Sequence, residues 1–344
     1  MIKYSKINIF FLLAAFLMLP GFAFAAMPTI SNVSGTVATG QTLTINGTNF
    51  VQESKTDWHP FWTSGSGYGF EGSSPSSDGY SADSNVVYDS SVKLMGNKSI
   101  KFSAAGASSN CPTGNLVSSA VVNMSGQTDY WLRGYVRYNS ANNLWASSHL
   151  KMFDLLYSPT PNTYIQWGSG STMPAQMIVV VDSGVTTYGS IPSGPLQNNR
   201  WYLVEAHIQP TQVNVFLDNA QIISASKSSN AINFLNFGLV NLCGTTSSFN
   251  LSNWMDGVAT SSSRVYPASN IEISGNGTTW KYQEPVYLSD TAVQFKLDLS
   301  GLSGTNYQVR VTNNQQQTSA TYSLSGPGGG DTTPPAAPSG LTVR

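Results

Sequence analysis

Apolar and polar side chains alternate along most of this chain, and that period constrains its fold more than any other feature. Clear examples run over residues 130–138, 201–209 and 213–217. Side chains two residues apart share one face of a β-strand. Turn pairs such as Asn-Gly at 46–47 and Asp-Gly at 256–257 separate the runs. Because no longer stretch carries a helical apolar stripe, the pattern predicts an all-β protein, a sandwich or jelly roll.

The first residues, 1–25, have the form of a secretory signal peptide. Lys3 and Lys6 give a basic start, an apolar run follows, and Ala23 and Ala25 supply the small residues that a signal peptidase requires. The apolar run is shorter than the roughly 20 residues of a transmembrane helix. We therefore expect cleavage after Ala25, an extracytoplasmic protein, and no membrane span after cleavage.

Charge is sparse in this chain. Charged residues make up 10% of the sequence and the net charge is −1, whereas about 25% charged residues is usual. A nucleic-acid partner needs clustered Lys and Arg, so we expect no nucleic-acid binding. The two cysteines, Cys111 and Cys243, are predicted to form a disulfide in an exported protein; two separate buried thiols are the alternative.

The two ends of the mature chain resemble two halves of one domain. The segments PTISNVSG at 28–35 and GQTLTINGTNF at 40–50 resemble the opening of an IPT/TIG domain. The strands that should follow come far downstream, as NIEISG at 270–275 and YQVRVTNN at 307–314. The resemblance implies an immunoglobulin-like sandwich made of residues 27–50 and 265–325, with a second domain inserted into one of its loops; three consecutive units are the alternative.

The inserted segment, residues 54–264, resembles a different β family. The hairpin WYLVEAHI at 201–208 and VNVFLDNAQI at 213–222 is similar to one in concanavalin A-like and laminin G-like domains, and WMDGVA at 254–259 resembles their last strand. This implies a jelly roll. The Gly/Pro-rich tail, residues 326–344, resembles a linker and the start of a fibronectin type III repeat.

Catalysis must be argued from residues, because jelly rolls serve both enzymes and binding proteins. A glycosidase needs paired carboxylates, and Asp154, Asp182, Glu205, Asp218 and Asp256 each stand alone on their strands. A polysaccharide lyase acting on an acidic glycan needs a cation beside the uronate and a group that moves a proton. Polar strand faces supply such candidates at Arg133, Arg137, His149, Lys151 and His207. The competing interpretation is an ordinary solvated sheet face.

Sugar binding needs exposed aromatic faces beside hydrogen-bonding groups. Trp145 lies in a polar loop, and Tyr135 and Gln166 lie on polar strand faces. These three are the predicted glycan-binding residues, and Trp58, Phe61 and Trp62 are further aromatic candidates. No zinc site is expected from three unpaired histidines. A structural calcium ion at Asp256 is conceivable by analogy with lectin-like jelly rolls, and no other cofactor is expected.

These observations favour a secreted, non-catalytic protein that binds a polysaccharide or a cell-surface glycan through its jelly roll, with the immunoglobulin-like domain as a spacer. Two alternatives stay open. One is a polysaccharide lyase that uses the basic face named above. The other is a structural or adhesive surface component without glycan binding.

Overall fold

The computed structural model describes residues 26–51, 70–105, 118–140, 150–157, 162–168, 174–182, 184–228, 231–240 and 250–324. Antiparallel strands dominate these residues, with one short 3-10 turn at Pro75–Asp78. Within them, no helix is long and apolar enough to cross a bilayer. The strands are β1 (Thr29–Ser34), β2 (Thr42–Thr48), β3 (Ser81–Ala82), β4 (Val86–Asp89), β5 (Ser99–Ala105), β6 (Ser118–Gln127), β7 (Tyr130–Ser140), β8 (Leu150–Tyr157), β9 (Thr163–Trp167), β10 (Gln176–Val181), β11 (Val185–Ser190), β12 (Trp201–Ile208), β13 (Gln212–Leu217), β14 (Ala220–Ser226), β15 (Ile232–Val240), β16 (Asn250–Ser261), β17 (Ser269–Ser274), β18 (Lys281–Tyr282), β19 (Glu284–Leu288), β20 (Ala292–Lys296), β21 (Gln308–Asn313) and β22 (Tyr322–Ser323).

The first and last strands form one immunoglobulin-like sandwich of two four-stranded sheets. One sheet has the order β1-β2-β20-β19 and the other β18-β17-β21-β22. Strand β2 pairs antiparallel with β20, with Thr42 opposite Lys296 and Ile45 opposite Val293. The N-terminal strands therefore find their partners beyond the insert, and the predicted fold, a jelly roll inserted into an immunoglobulin-like sandwich, is confirmed.

The inserted jelly roll consists of two seven-stranded sheets. The front sheet has the order β11-β10-β9-β8-β15-β6-β3, and the back sheet has the order β14-β13-β12-β7-β16-β5-β4. Alternate side chains of both sheets fill the space between them, including Phe153, Ile165 and Trp167 from the front and Val136 and Val204 from the back. These core positions force the intervening residues of each strand onto the two outer faces.

The outer face of the back sheet packs against the immunoglobulin-like sandwich. Tyr135, Leu203 and Trp254 belong to the same buried cluster as Ile271 and Leu288 of the other domain. Burying large apolar and aromatic side chains together is the main favourable contribution to such a junction. This packing covers the middle of the back sheet's outer face, and among the described residues the sandwich does not cover the corresponding face of the front sheet.

Several predictions fall on residues outside the described ranges. These are the signal peptide 1–25, the tail 326–344, the disulfide of Cys111 and Cys243, the candidate lyase residue His149, and the aromatic residues Trp58, Phe61, Trp62 and Trp145. They remain predictions.

Candidate functional site

Arg133 and Tyr135 lie at the buried junction between the two domains. Both are completely buried. Arg133 donates from Nε to the Gly257 carbonyl and from Nη1 to the Tyr266 carbonyl, each at 2.8 Å. The Tyr135 hydroxyl accepts a hydrogen bond from the Ala268 amide at 3.1 Å. A covered side chain cannot contact a polysaccharide, so the predicted lyase role of Arg133 and the predicted glycan contact of Tyr135 are both wrong.

Arg137 and His207 sit at opposite ends of the back sheet. Arg137 opposes Trp201 and His207 opposes Trp131 across the β7–β12 pair, so about six residues of strand, roughly 20 Å, separate them. His207 stacks on Trp131 with 4.2 Å between ring centroids. Lys151 belongs to the other sheet. The described members of the predicted lyase set therefore do not converge in one groove.

Asp256 anchors a loop of the jelly roll through hydrogen bonds to backbone amides. Its Oδ2 accepts from the Leu94 amide at 2.7 Å and the Met95 amide at 3.0 Å, and its Oδ1 accepts from the Gly257 amide at 2.9 Å. These N–H groups point at both carboxylate oxygens, where a calcium ion would need lone pairs. Among the described residues no group of three or more His, Cys, Asp or Glu could hold a metal ion. Asp256 is therefore a structural hydrogen-bond acceptor, and this geometry does not support the calcium ion considered at this residue by analogy.

Polar residues from three neighbouring strands meet on the outer face of the front sheet. Lys151 of β8 opposes Gln166 of β9, and Asp154 opposes both Tyr164 of β9 and Asn236 of β15. Directly opposed residues point to the same side of a sheet, with Cβ atoms about 5 Å apart. We call these five residues the front face. Their strands are held in this register because the residues between them, such as Phe153 and Ile165, are core positions.

The front face has a buried polar floor and a partly exposed surface. Gln166, Asp154 and Asn236 are buried, whereas Lys151 and Tyr164 are half-buried. Oδ1 of Asp154 and Oδ1 of Asn236 have no hydrogen-bond partner among the described residues. Gln166 is therefore part of the floor, and the direct glycan contact predicted for it is corrected to a buried, supporting position beside Lys151.

Burial controls the charges on this face. It raises the pKa of Asp154 to about 6, although the nearby Lys151 ammonium acts in the opposite direction. Burial also lowers the pKa of Lys151, partly offset by Asp154. The pKa of Tyr164 is raised by burial and by Asp154. Lys151 Nζ lies 3.9 Å from the centroid of the Tyr164 ring, a cation–π contact that holds the ammonium over the aromatic face.

A shallow pocket of about 420 Å³ adjoins the front face on the same side of the sheet. Ile178 of β10 opposes both Gln166 of β9 and Tyr188 of β11, so these residues continue the row that begins at Lys151. Tyr188 is 58% exposed. The pocket walls include Gly168, Pro174, Gln176, Ile178, Tyr188 and Ser190.

Sequence reasoning found part of this face and missed the rest. Lys151 and Gln166 were predicted as polar candidates on alternating strand positions, and Tyr164 was not among the predicted site residues. Asp154 is equally visible but looks isolated, because its neighbours Tyr164 and Asn236 come from other strands. Only information about which strands pair with each other could have shown that these residues are neighbours.

The fold and the front face together define an all-β protein in which a jelly roll interrupts an immunoglobulin-like sandwich and carries a mixed polar and aromatic face.

No family model matches the chain, and no curated protein does. Among solved structures, it is similar to the alginate lyase AlgAT5 from polysaccharide lyase family 7, at 11% identity and TM-score 0.39 over 54% of this chain and 87% of that one. It is also similar to the alginate lyase from Corynebacterium sp., at 10% identity and TM-score 0.39 over 54% and 86%. The alginate lyase AlyC3 gives 7% identity and TM-score 0.35 over 48% and 75%. Likenesses this weak carry no argument about what this chain binds or does.

Proposed function

We propose that this protein binds an acidic polysaccharide on the front face, with Lys151 as the charge-recognising residue. The observation that supports this most is the position of the Lys151 ammonium, 3.9 Å from the Tyr164 ring centroid on a face that also holds the buried Asp154 and Gln166. A cation and an aromatic face side by side suit a sugar acid, since a sugar ring is apolar on its faces and carries its carboxylate at the edge.

The electrostatics of the face favour an anionic ligand. Burial lowers the pKa of Lys151, and the neighbouring Asp154, whose pKa burial raises to about 6, loses its negative charge as the pH falls through that value and then leaves the ammonium uncompensated. A ligand carboxylate placed at Lys151 Nζ would supply a charge-assisted hydrogen bond in a partly desolvated setting, where such bonds are strong. Tyr164, and Tyr188 further along the row, would contact the apolar faces of the sugars.

The rest of the chain is proposed to serve this binding. We take residues 27–50 and 265–325 as an immunoglobulin-like spacer of the IPT/TIG type and residues 54–264 as the recognition domain. The pairing of β2 with β20 supports this division. The signal-peptide pattern at 1–25 supports export, so the ligand would be met outside the cytoplasm.

Lys151→Ala tests the proposal against a matched control, Lys101→Ala. Lys101 is also a strand lysine over an aromatic ring, 5.2 Å from the Trp254 centroid, but it lies on the back sheet. Isothermal titration with a panel of neutral and acidic polysaccharides should show binding of an acidic one, weakened about tenfold or more by Lys151→Ala and unchanged by Lys101→Ala. Equal affinity in both variants would contradict the proposal.

A polysaccharide lyase is the second candidate, and the contact between Lys151 and Tyr164 is the observation that favours it. In β-elimination the C–H bond beside the uronate carboxylate breaks and its proton passes to a base, a carbon–carbon double bond forms, and the glycosidic C–O bond breaks as the leaving oxygen takes a proton. In this candidate mechanism Lys151 would neutralise the carboxylate, water at the exposed side of the face would accept the abstracted proton, and Tyr164, kept protonated by its raised pKa, would donate to the leaving oxygen and recover its proton from solvent.

Ultraviolet absorbance of an unsaturated product distinguishes the two candidates. Glycan that is bound but not shortened supports the non-catalytic proposal. An increase in absorbance that Tyr164→Phe abolishes, with binding retained, would replace that proposal with the lyase. A protein that neither binds nor cleaves any glycan of the panel would favour the structural or adhesive alternative.

A further inference from the structure

The pocket beside the front face lies on the same rows of the sheet as Lys151. Gln166, Ile178 and Tyr188 extend the Lys151 row across three more strands. Gln176 of β10 opposes Ser190 of β11 in the next row. Neighbouring strands are about 4.8 Å apart, so the pocket begins about 10 Å from the Lys151 backbone. A glycan lying across the strands would reach both.

The walls of the pocket combine apolar surface with uncharged hydrogen-bonding groups. Pro174, Ile178 and Ile191 are buried apolar residues that form its base. Gln176 and Ser190 are exposed at its edge and offer an amide and a hydroxyl. Such a wall suits a group with a methyl and an amide, because the methyl finds apolar contact while the amide finds a donor and an acceptor.

Backbone hydrogen bonds hold the walls in place without a ligand. The Gly168 amide donates to the Gln176 carbonyl at 2.8 Å, the Ile191 amide donates to the Ala175 carbonyl at 2.9 Å, and the Leu196 amide donates to the Pro174 carbonyl at 2.8 Å. A pocket fixed in this way loses little conformational entropy when a ligand enters.

We propose that the ligand is a heteropolysaccharide in which an acidic sugar alternates with an N-acetylated sugar, the acid at Lys151 and the N-acetyl group in the pocket. This rests on the proposed function and specifies its ligand class. The pocket volume of about 420 Å³ lies within the range of small-molecule sites. A homopolymer of uronic acids would bring a second carboxylate to the apolar base, and burying a charge against apolar walls is costly.

The test compares three oligosaccharides of equal length: hyaluronan, which alternates glucuronate with N-acetylglucosamine, its N-deacetylated form, and oligomannuronate. Isothermal titration with the mature protein should give at least about tenfold tighter binding of hyaluronan. Ala175→Trp should remove that preference, because Ala175 is exposed at the pocket and the indole would fill it. Val185→Trp is the control, since Val185 is 63% exposed on the same edge of the sheet outside the pocket lining.

The outcomes separate this inference from the proposed function. If hyaluronan is preferred and only Ala175→Trp abolishes the preference, the ligand class is supported. If oligomannuronate binds as tightly as hyaluronan, or Ala175→Trp leaves the preference intact, the ligand class is overturned while acidic-glycan binding stands. If no acidic oligosaccharide binds and Lys151→Ala changes nothing, the proposed function itself fails.

Discussion

Asp154→Asn should stabilise the protein near neutral pH, because the carboxylate is held in a setting that disfavours its charge. Burial raises its pKa from 3.8 to about 6, and each pKa unit corresponds to about 1.4 kcal/mol. The shift of roughly two units amounts to about 3 kcal/mol, an upper figure because relaxation of the site reduces it. The asparagine keeps the shape of the side chain and removes the ionisation.

The pH dependence follows from the direction of the shift. The folded-state pKa is above the unfolded value, so the folded state binds the proton more tightly. Its contribution to stability is fully present below about pH 4 and is lost as pH rises through about 6. Wild type and Asp154→Asn should therefore have similar stability near pH 4, and the variant should be more stable near pH 7.

Urea unfolding followed by tryptophan fluorescence measures this difference at both pH values. Asp290→Asn, the same change in the immunoglobulin-like sandwich, controls for the loss of one negative charge. The reasoning is refuted if Asp154→Asn is no more stable than wild type near neutral pH, or if its advantage is the same at both pH values.

Three further outcomes are expected. Asp256→Ala leaves three backbone amides without their acceptor and should lower the free energy of unfolding by about 3–5 kcal/mol in urea titrations; a loss below about 1 kcal/mol would count against the role assigned to it. Arg200→Gln removes two ion pairs, one to Asp218 within the jelly roll and one to Glu284 across the domain junction, with 3.7 Å between Nε and Oε2 in the second. Because burial raises the pKa of both Asp218 and Glu284, the loss of stability should be larger near neutral pH than near pH 4, and differential scanning calorimetry at the two pH values checks this. Affinity for an acidic glycan should increase as pH falls through about 6, where Asp154 becomes neutral, and isothermal titration should find this dependence absent in Asp154→Asn.

The strands were predictable because their pattern is local. The hairpin predicted at 201–209 and 213–217 appears as β12 (Trp201–Ile208) and β13 (Gln212–Leu217). The next turn, from β13 to β14, consists of Asp218 and Asn219, and both residues have positive φ. The insertion was predicted from the resemblance of the two ends of the chain to one domain, and the pairing of β2 with β20 agrees with it, whereas the register of that pair was not predicted.

The candidate site was less predictable, since exposure depends on what covers a face. Arg133 and Lys151 look alike in sequence, each a cation on an alternating strand position. The immunoglobulin-like sandwich covers the back sheet, so Arg133 is completely buried, whereas Lys151 stays half-buried on the front sheet beside Tyr164. No local pattern states which face of a jelly roll receives a neighbouring domain.

The sequence by itself determined the all-β class, the strand positions and the alternation that separates core from surface, because these depend on residues two apart and on the turns between strands. Only the tertiary structure decided that Asp154, Tyr164 and Asn236 are neighbours. It also decided that Asp256 accepts hydrogen bonds from the backbone amides of a loop far away in the chain. Strand order and domain packing bring together residues that are distant in sequence, and the burial they create determines which charges are favourable and which of the described side chains stay exposed.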